Sequence, residues 1–167
     1  MRAACILSGL AVAFGAAGCQ STKVVDDFDP IVPQFLLEAP ERQPSAQIVA
    51  LPVSQVQIPV YPRVALAQSD VRNVELVQVE LGLCLMFEFT PEASRGLMRL
   101  SSSNIGRRLV VTLNGRPMGA RPIEGPIPDG RLFVFVEVPD DALPDTAVNL
   151  KRTVHEIQAA LQKSRRQ

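Results

Sequence analysis

Every odd position across residues 77–89 is apolar: Val77, Val79, Leu81, Leu83, Leu85, Phe87 and Phe89. A period of two predicts a strand with one face in a core. Thirteen residues are too many for one ordinary strand, so Gly82 is expected to mark a bulge, bend or break. Thr90 then reads as a helix cap, with Pro91 at the first helical position and Glu92 in the first turn. Ala93, Leu97 and Leu100 form that helix's apolar stripe, and Asn104-Ile105-Gly106 ends it. Leu109, Val111 and Leu113 alternate again. Asn114-Gly115 suits a type I′ hairpin turn, and residues 118–123 return as an edge strand flanked by Pro117 and Pro122. Residues 132–138 are apolar on both faces and predict a central strand. A last helix is expected from a cap at Asp145 or Thr146, with Ala147, Leu150, Val154, Ile157 and Leu161 at three-four spacing.

The pattern before residue 77 is weaker. Val49, Leu51 and Val53 alternate, then Val56, Ile58 and Val60 after a one-residue shift, which reads as an extended edge segment with Pro52 and Pro59. Residues 20–46 are rich in Pro, Asp, Glu and Gln, and seven of the 14 prolines fall between Pro30 and Pro62. They read as a tether spanning about 26–31 Å as a coil or about 84 Å as extended polyproline. Within it, the "FLLE" at Phe35 is read as a short apolar patch without structural consequence. The fold expected is α+β: an antiparallel or mixed sheet of about four to five strands with two amphipathic helices.

Residues 3–18 are almost all apolar or small, follow Arg2 and are ended by Gln20, Ser21, Thr22 and Lys23. Sixteen residues fall short of the ~20 that cross a bilayer as a helix. The length and taper are those of a signal peptide. Ala16-Ala17-Gly18-Cys19 resembles a bacterial lipobox, with Ala16 where Leu is usual. That resemblance implies a signal at residues 1–18 cut before Cys19, a diacylglyceryl group on the Cys19 thiol, and an acyl chain, palmitate being the usual one, on the new amino group. The alternatives are an ordinary secretory signal or an uncleaved anchor with Cys19 a chance cysteine. Loss of Cys5 and lipidation of Cys19 would leave Cys84 alone, so no intrachain disulfide is expected. The organisation is then signal at 1–18, lipidated cysteine and tether at 19–46, and an α+β domain at 47–167. By the same resemblance Gln20, which is not Asp, favours the outer over the inner membrane, with the domain facing the periplasm.

Candidate chemistry changes this picture little. His155, the one histidine, lies beside Arg152 and Glu156 on the charged side of the last helix, which fits a solvated side chain better than a base. Cys84 reads as a buried structural thiol. No histidine or cysteine pair and no glycine-rich phosphate loop follows Cys19, so neither metal nor cofactor is expected. Asp26, Asp27 and Asp29 suit a solvated tether better than a calcium site. The 17 basic and 17 acidic residues balance, which gives no field for nucleic acid. They divide unevenly, however: residues 19–93 hold four basic and ten acidic residues, and residues 94–167 hold twelve and seven. Arg107, Arg108, Arg116, Arg121 and Arg131 form a candidate interaction face for acidic peptide, glycan or lipid headgroups, against the plainer reading of scattered solubilising charge.

The order of pieces across residues 56–136 resembles the head part of the first periplasmic domain of SecD. The matching segments are "SDV" from Ser69 and "FEFTPEASRGLMRLSSSNIGRRLVVTLNGRPMGARPIEGPIPDGR" from Phe87 to Arg131. A strand ending in Phe-Thr-Pro-Glu, a helix, a Gly-Arg-Arg-Leu step, an Asn-Gly turn and an Ala-x-Pro-Ile segment share one order. The departures are an apparently missing polar turn near Leu81-Gly82, a longer final helix and no apolar spanning stretch after the signal. The resemblance implies an α+β head-like domain that contacts polypeptide and is not itself a proton-driven transporter. The function expected is a lipid-anchored, non-enzymatic protein-interaction module linked to export, with strand addition at residues 118–123 or 49–60. The alternative is a structural envelope lipoprotein holding peptidoglycan through the arginine face.

Overall fold

The computed structural model describes residues 28–166; the expected signal peptide, Cys19 and residues 20–27 lie outside the described residues. The architecture is α+β, with two amphipathic helices and two antiparallel sheets. The strands are β1 (Pro33–Glu38), β2 (Gln47–Ala50), β3 (Gln57–Leu66), β4 (Val71–Val79), β5 (Gly82–Phe89), β6 (Arg108–Leu113), β7 (Arg116–Pro122) and β8 (Arg131–Val134). Helix α1 spans Pro91–Ser103 and α2 spans Leu143–Ser164. One sheet has the order β2-β3-β1-β6-β7 and the other β4-β5-β8, so the described strands number eight rather than four or five.

The largest departure from expectation is β1. Its six residues fall within the expected tether, yet β1 is the middle strand of the larger sheet, paired with β6 from Pro33↔Leu113 to Leu37↔Leu109. Proline density argues for coil only where it interrupts a ladder. Here Pro33 opens the strand and Pro40 follows its end, which leaves "QFLLE" free to pair. Phe35 is fully buried and meets Phe87 edge-on at 5.1 Å and Phe89 at 5.3 Å, across from one sheet to the other. One core therefore runs between the sheets, closed by Ala93 and Leu97 of α1 and Ala147, Leu150 and Val154 of α2. A smaller cluster of Leu51, Ile58, Val60 and Val110 lies apart from it.

The long alternation resolves into two strands. The β4–β5 ladder runs from Val71↔Phe89 to Val79↔Gly82 with one register shift before Asn73, and the chain reverses at Glu80-Leu81 with Gly82 at φ +124°, where a side chain would be strained. The turn is thus present, made by Glu80 and apolar Leu81, which is 85% exposed, and not by polar residues alone. Leu83 is also exposed, while Cys84 to Phe87 are buried on both faces because β5 is the middle strand of its sheet. Thr90 caps α1 as expected, its Oγ1 accepting from the Ala93 N–H at 3.3 Å. Asn114 and Gly115 both take positive φ in the β6–β7 turn.

Three further expectations are corrected. Residues 132–138 do not form a central strand: β8 is the outer strand beside β5, with Leu132 and Val134 buried and Phe133 and Phe135 exposed. The chain after β8 instead crosses to the other sheet through the Gly119↔Val136 bridge. Residues 49–60 are not one edge segment but the β2–β3 hairpin, reversed at residues 52–55 with Gln55 at φ 56°. Helix α2 begins at Leu143 without a side-chain cap, ahead of Asp145 and Thr146; Pro144 sits in its first turn.

Candidate functional site

The sheet edges are the surfaces where this fold offers unpaired backbone groups. Natural edges are blunted by bulges, prolines, charges or covering elements. On β7, Pro117, Pro122, Arg116, Arg121 and a register shift opposite Val111/Thr112 do this, and the bond from Glu137 N–H to the Met118 carbonyl at 2.6 Å occupies part of it. On β4, α2 packs along the strand, and the Gln158 amide donates to the Val71 and Ser69 carbonyls at 2.7 and 3.0 Å. Beyond residue 60, β3 loses its β2 partner, but register shifts against β1, Pro62 and Arg63 break that stretch.

β2 has none of these devices. Gln47, Ile48, Val49 and Ala50 pair in unbroken register with residues 57–60 and carry no charge and no proline. Ile48 is 64% exposed, and Val53 and Val56 after it are exposed as well. The edge is held rigidly. The Glu137 carboxylate accepts the Val53 and Ser54 N–H groups at 2.7 and 3.0 Å, which fastens the β2–β3 loop to the segment after β8. Burial raises the Glu137 pKa, but the bonds from Ser54 and Val53 outweigh it and hold the carboxyl below its usual range. The signal for β2 was present in the sequence as the phase slip at Ser54-Gln55, which is the turn.

The five arginines do not assemble into one face. Arg108 is committed to Glu38: its Nε and Nη2 reach the two carboxylate oxygens at 2.9 and 2.6 Å, and its backbone N–H adds a third bond at 2.8 Å. Arg107 stands beside this pair and Arg121 faces Leu109, whereas Arg116 faces Leu113 at the far end of the hairpin, roughly 17 Å away along β6. Arg121 contacts Glu124 at 3.4 Å. Arg131 lies on the other sheet, where it shares Glu88 with Arg72, each at 3.4 Å. Sequence alone gave no sign of Glu38 as a partner, because 70 residues separate it from Arg108.

The Glu38–Arg108 pair has a measurable consequence. The hydrogen bond from Arg108 holds the Glu38 carboxyl below its usual pKa, against burial, which would raise it. The folded state therefore binds this proton less readily than the unfolded chain. The pair's stabilisation is present above the unfolded value near 4.5 and is lost as pH falls through the lowered folded value. With side chains only 32% and 16% exposed, Glu38→Gln is expected to cost about 2 kcal/mol at pH 7. That difference should shrink in urea denaturation curves taken at progressively lower pH below about 4.5.

A surface depression of about 850 Å³ forms an open groove between the C-terminal half of α2 and the start of α1. Asp70, Arg72, Glu92, His155 and Arg165 line it, with charges of both signs. Asp70 is used locally, accepting the Ala67 N–H at 2.8 Å, and Arg72 pairs with Glu88. Among the described residues no group of three or more His, Cys, Asp or Glu could hold a metal ion. Cys84 is buried, and desolvation raises its thiol pKa, which keeps it protonated and unreactive. Native protein should leave Cys84 unlabelled by a maleimide that reacts within minutes once urea is added. Among the described residues no helix is long and apolar enough to cross a membrane.

No family model matches the sequence, and no curated protein does. Solved structures do. A structure of SecDF, a membrane component that enhances protein export, superposes with a TM-score of 0.56 at 16% identity over 77% of this chain and 63% of that one. SecDF in a super-membrane-facing form gives 0.55 at 17% identity over 74% of this chain and 18% of that one. This chain thus spans under two thirds of the first and under one fifth of the second. At such identity the likeness is one of fold, and the described domain has a SecDF-like α+β fold.

Proposed function

We propose that this protein is a lipid-anchored component of the cell envelope, linked to protein export, that binds extended polypeptide by strand addition and carries out no chemistry. The observation that carries this reading is β2: an uncharged, regular and uncovered edge strand on a SecDF-like domain. An extended segment laid along residues 47–50 would complete the backbone hydrogen bonds, which gives affinity without demanding a particular sequence. Exposed Ile48 and Val53 would supply apolar contact beside the ladder. Such tolerance suits a partner met in many sequences, as exported chains are. Residues 118–123 are blunted and partly bridged, which favours β2 over that edge.

The test is photocrosslinking in living cells from a benzophenone residue at Ile48, compared with one at Arg116. Strand addition predicts several-fold more crosslinked polypeptide from Ile48, abolished by Ala50→Pro, which removes an N–H that faces away from β3. Equal yields from both sites would sink the assignment to β2. Recovery of no polypeptide from either would sink the binding reading itself.

A further inference from the structure

The segment entering the fold docks on α2. The Phe28 ring lies 4.2 Å from the Arg152 guanidinium, and the Ile31 N–H donates to the buried Thr153 Oγ1 at 3.0 Å. On the reading that Cys19 is lipidated, only nine peptide steps separate the anchor from Phe28. They reach at most about 32 Å fully extended and about 15–18 Å as a coil. A domain of this size has a radius of gyration of about 14 Å, so it cannot stand off the bilayer by much more than its own diameter. The tether expected from composition would have allowed more; β1 and the docked segment remove most of its length.

We infer that the outward face of α2 lies against an anionic lipid surface. Lys163 in its last turn, and Arg165 and Arg166 just beyond its end, are exposed and form no ion pair among the described residues. Further back its exposed positions include Val148, Ala159 and Ala160, small or apolar residues that permit close approach, beside the charged or polar Lys151, Arg152, His155 and Glu156. The acids beside this helix are Glu156, which pairs with Arg152 at 3.2 Å, Asp145 in the first turn, Glu75, which pairs with Lys151 at 3.5 Å, and Asp70 and Glu92, which share a groove with Arg165. Phe28 meets the helix at Arg152, about 16 Å along the axis from Lys163. Lys163 and Arg166, which do not line that groove, are left to the lipid headgroups. This orientation turns α2 to the bilayer, while β2 lies at the far edge of the other sheet, open to the aqueous side.

The test uses full-length protein, purified with its lipid, in vesicles of phosphatidylcholine with and without phosphatidylglycerol. Nitroxide labels at Ala159→Cys or Ile48→Cys report collision with a nickel-chelating headgroup lipid, Cys84 being buried. In the anionic vesicles collision at 159 is expected to exceed that at 48 several-fold. Replacing Lys163, Arg165 and Arg166 by Gln should cut it at least fivefold, since one cation near such a surface is worth roughly that factor. The excess should also fall with added salt. Equal collision at both sites in protein that floats with the vesicles overturns the inference and leaves anchoring intact. Protein that does not float, with an unmodified Cys19 by mass spectrometry, overturns both.

Discussion

Phe35→Ala is expected to destabilise the domain by about 3–5 kcal/mol, the cost of emptying a fully buried aromatic site that cannot collapse. The ring is the contact between the sheets, edge-on to Phe87 and Phe89, so its removal strips both faces at once. Urea denaturation followed by circular dichroism measures the loss. Phe133→Ala, on an exposed position of β8, should cost under about 1 kcal/mol in the same assay. A Phe35→Ala protein as stable as the parent would show that residues 33–38 lie outside the fold. Deleting the chain up to residue 39 should be more damaging still, because β3 and β6 would each lose a strand partner.

Gly119→Ala is the second severe change, expected to cost about 3 kcal/mol. A Cβ at 119 would overlap the Phe135 backbone oxygen and crowd Val134 Cγ1 at 3.2 Å. Neither neighbour is a flexible side-chain tip. The relief must come from separating β7 from the segment after β8, the one described bridge between the two sheets. The effect should spread. Glu137, whose N–H bonds Met118 and whose carboxylate holds Val53 and Ser54, sits one residue beyond the bridge. Amide hydrogen exchange is therefore expected to rise at 53, 54 and 137 as well as at 119. Gly125→Ala, with open space around it, should leave both stability and exchange nearly unchanged. A neutral Gly119→Ala would mean that the sheets are not joined there.

Local signals in the sequence were read well where the physics is local. The α1 cap needs only Thr90 and the N–H three residues on, and the Asn114-Gly115 turn needs only two residues that tolerate positive φ. The amphipathic periods of α1 and α2 likewise placed Leu97, Leu150 and Val154 in the core. β1 was missed because its evidence is its partners, β3 and β6, and a six-residue apolar run between prolines looks alike in coil and in a central strand. The arginine cluster failed for a related reason. Closeness along a hairpin says nothing of which guanidinium a distant carboxylate will claim, and Glu38 and Glu88 claimed two of the five.

By itself the chain's pattern determined an α+β domain with two amphipathic helices, a tight hairpin at 114–115 and a buried thiol at 84, all consequences of neighbours within a few residues. Only the tertiary structure decided which edges stay open, that β1 belongs to the sheet, and that the entering segment rests on α2. Those are contacts between residues tens of positions apart. Their free energy comes from burial and pairing that exist only once both partners are in place, so no local stretch of sequence contains it.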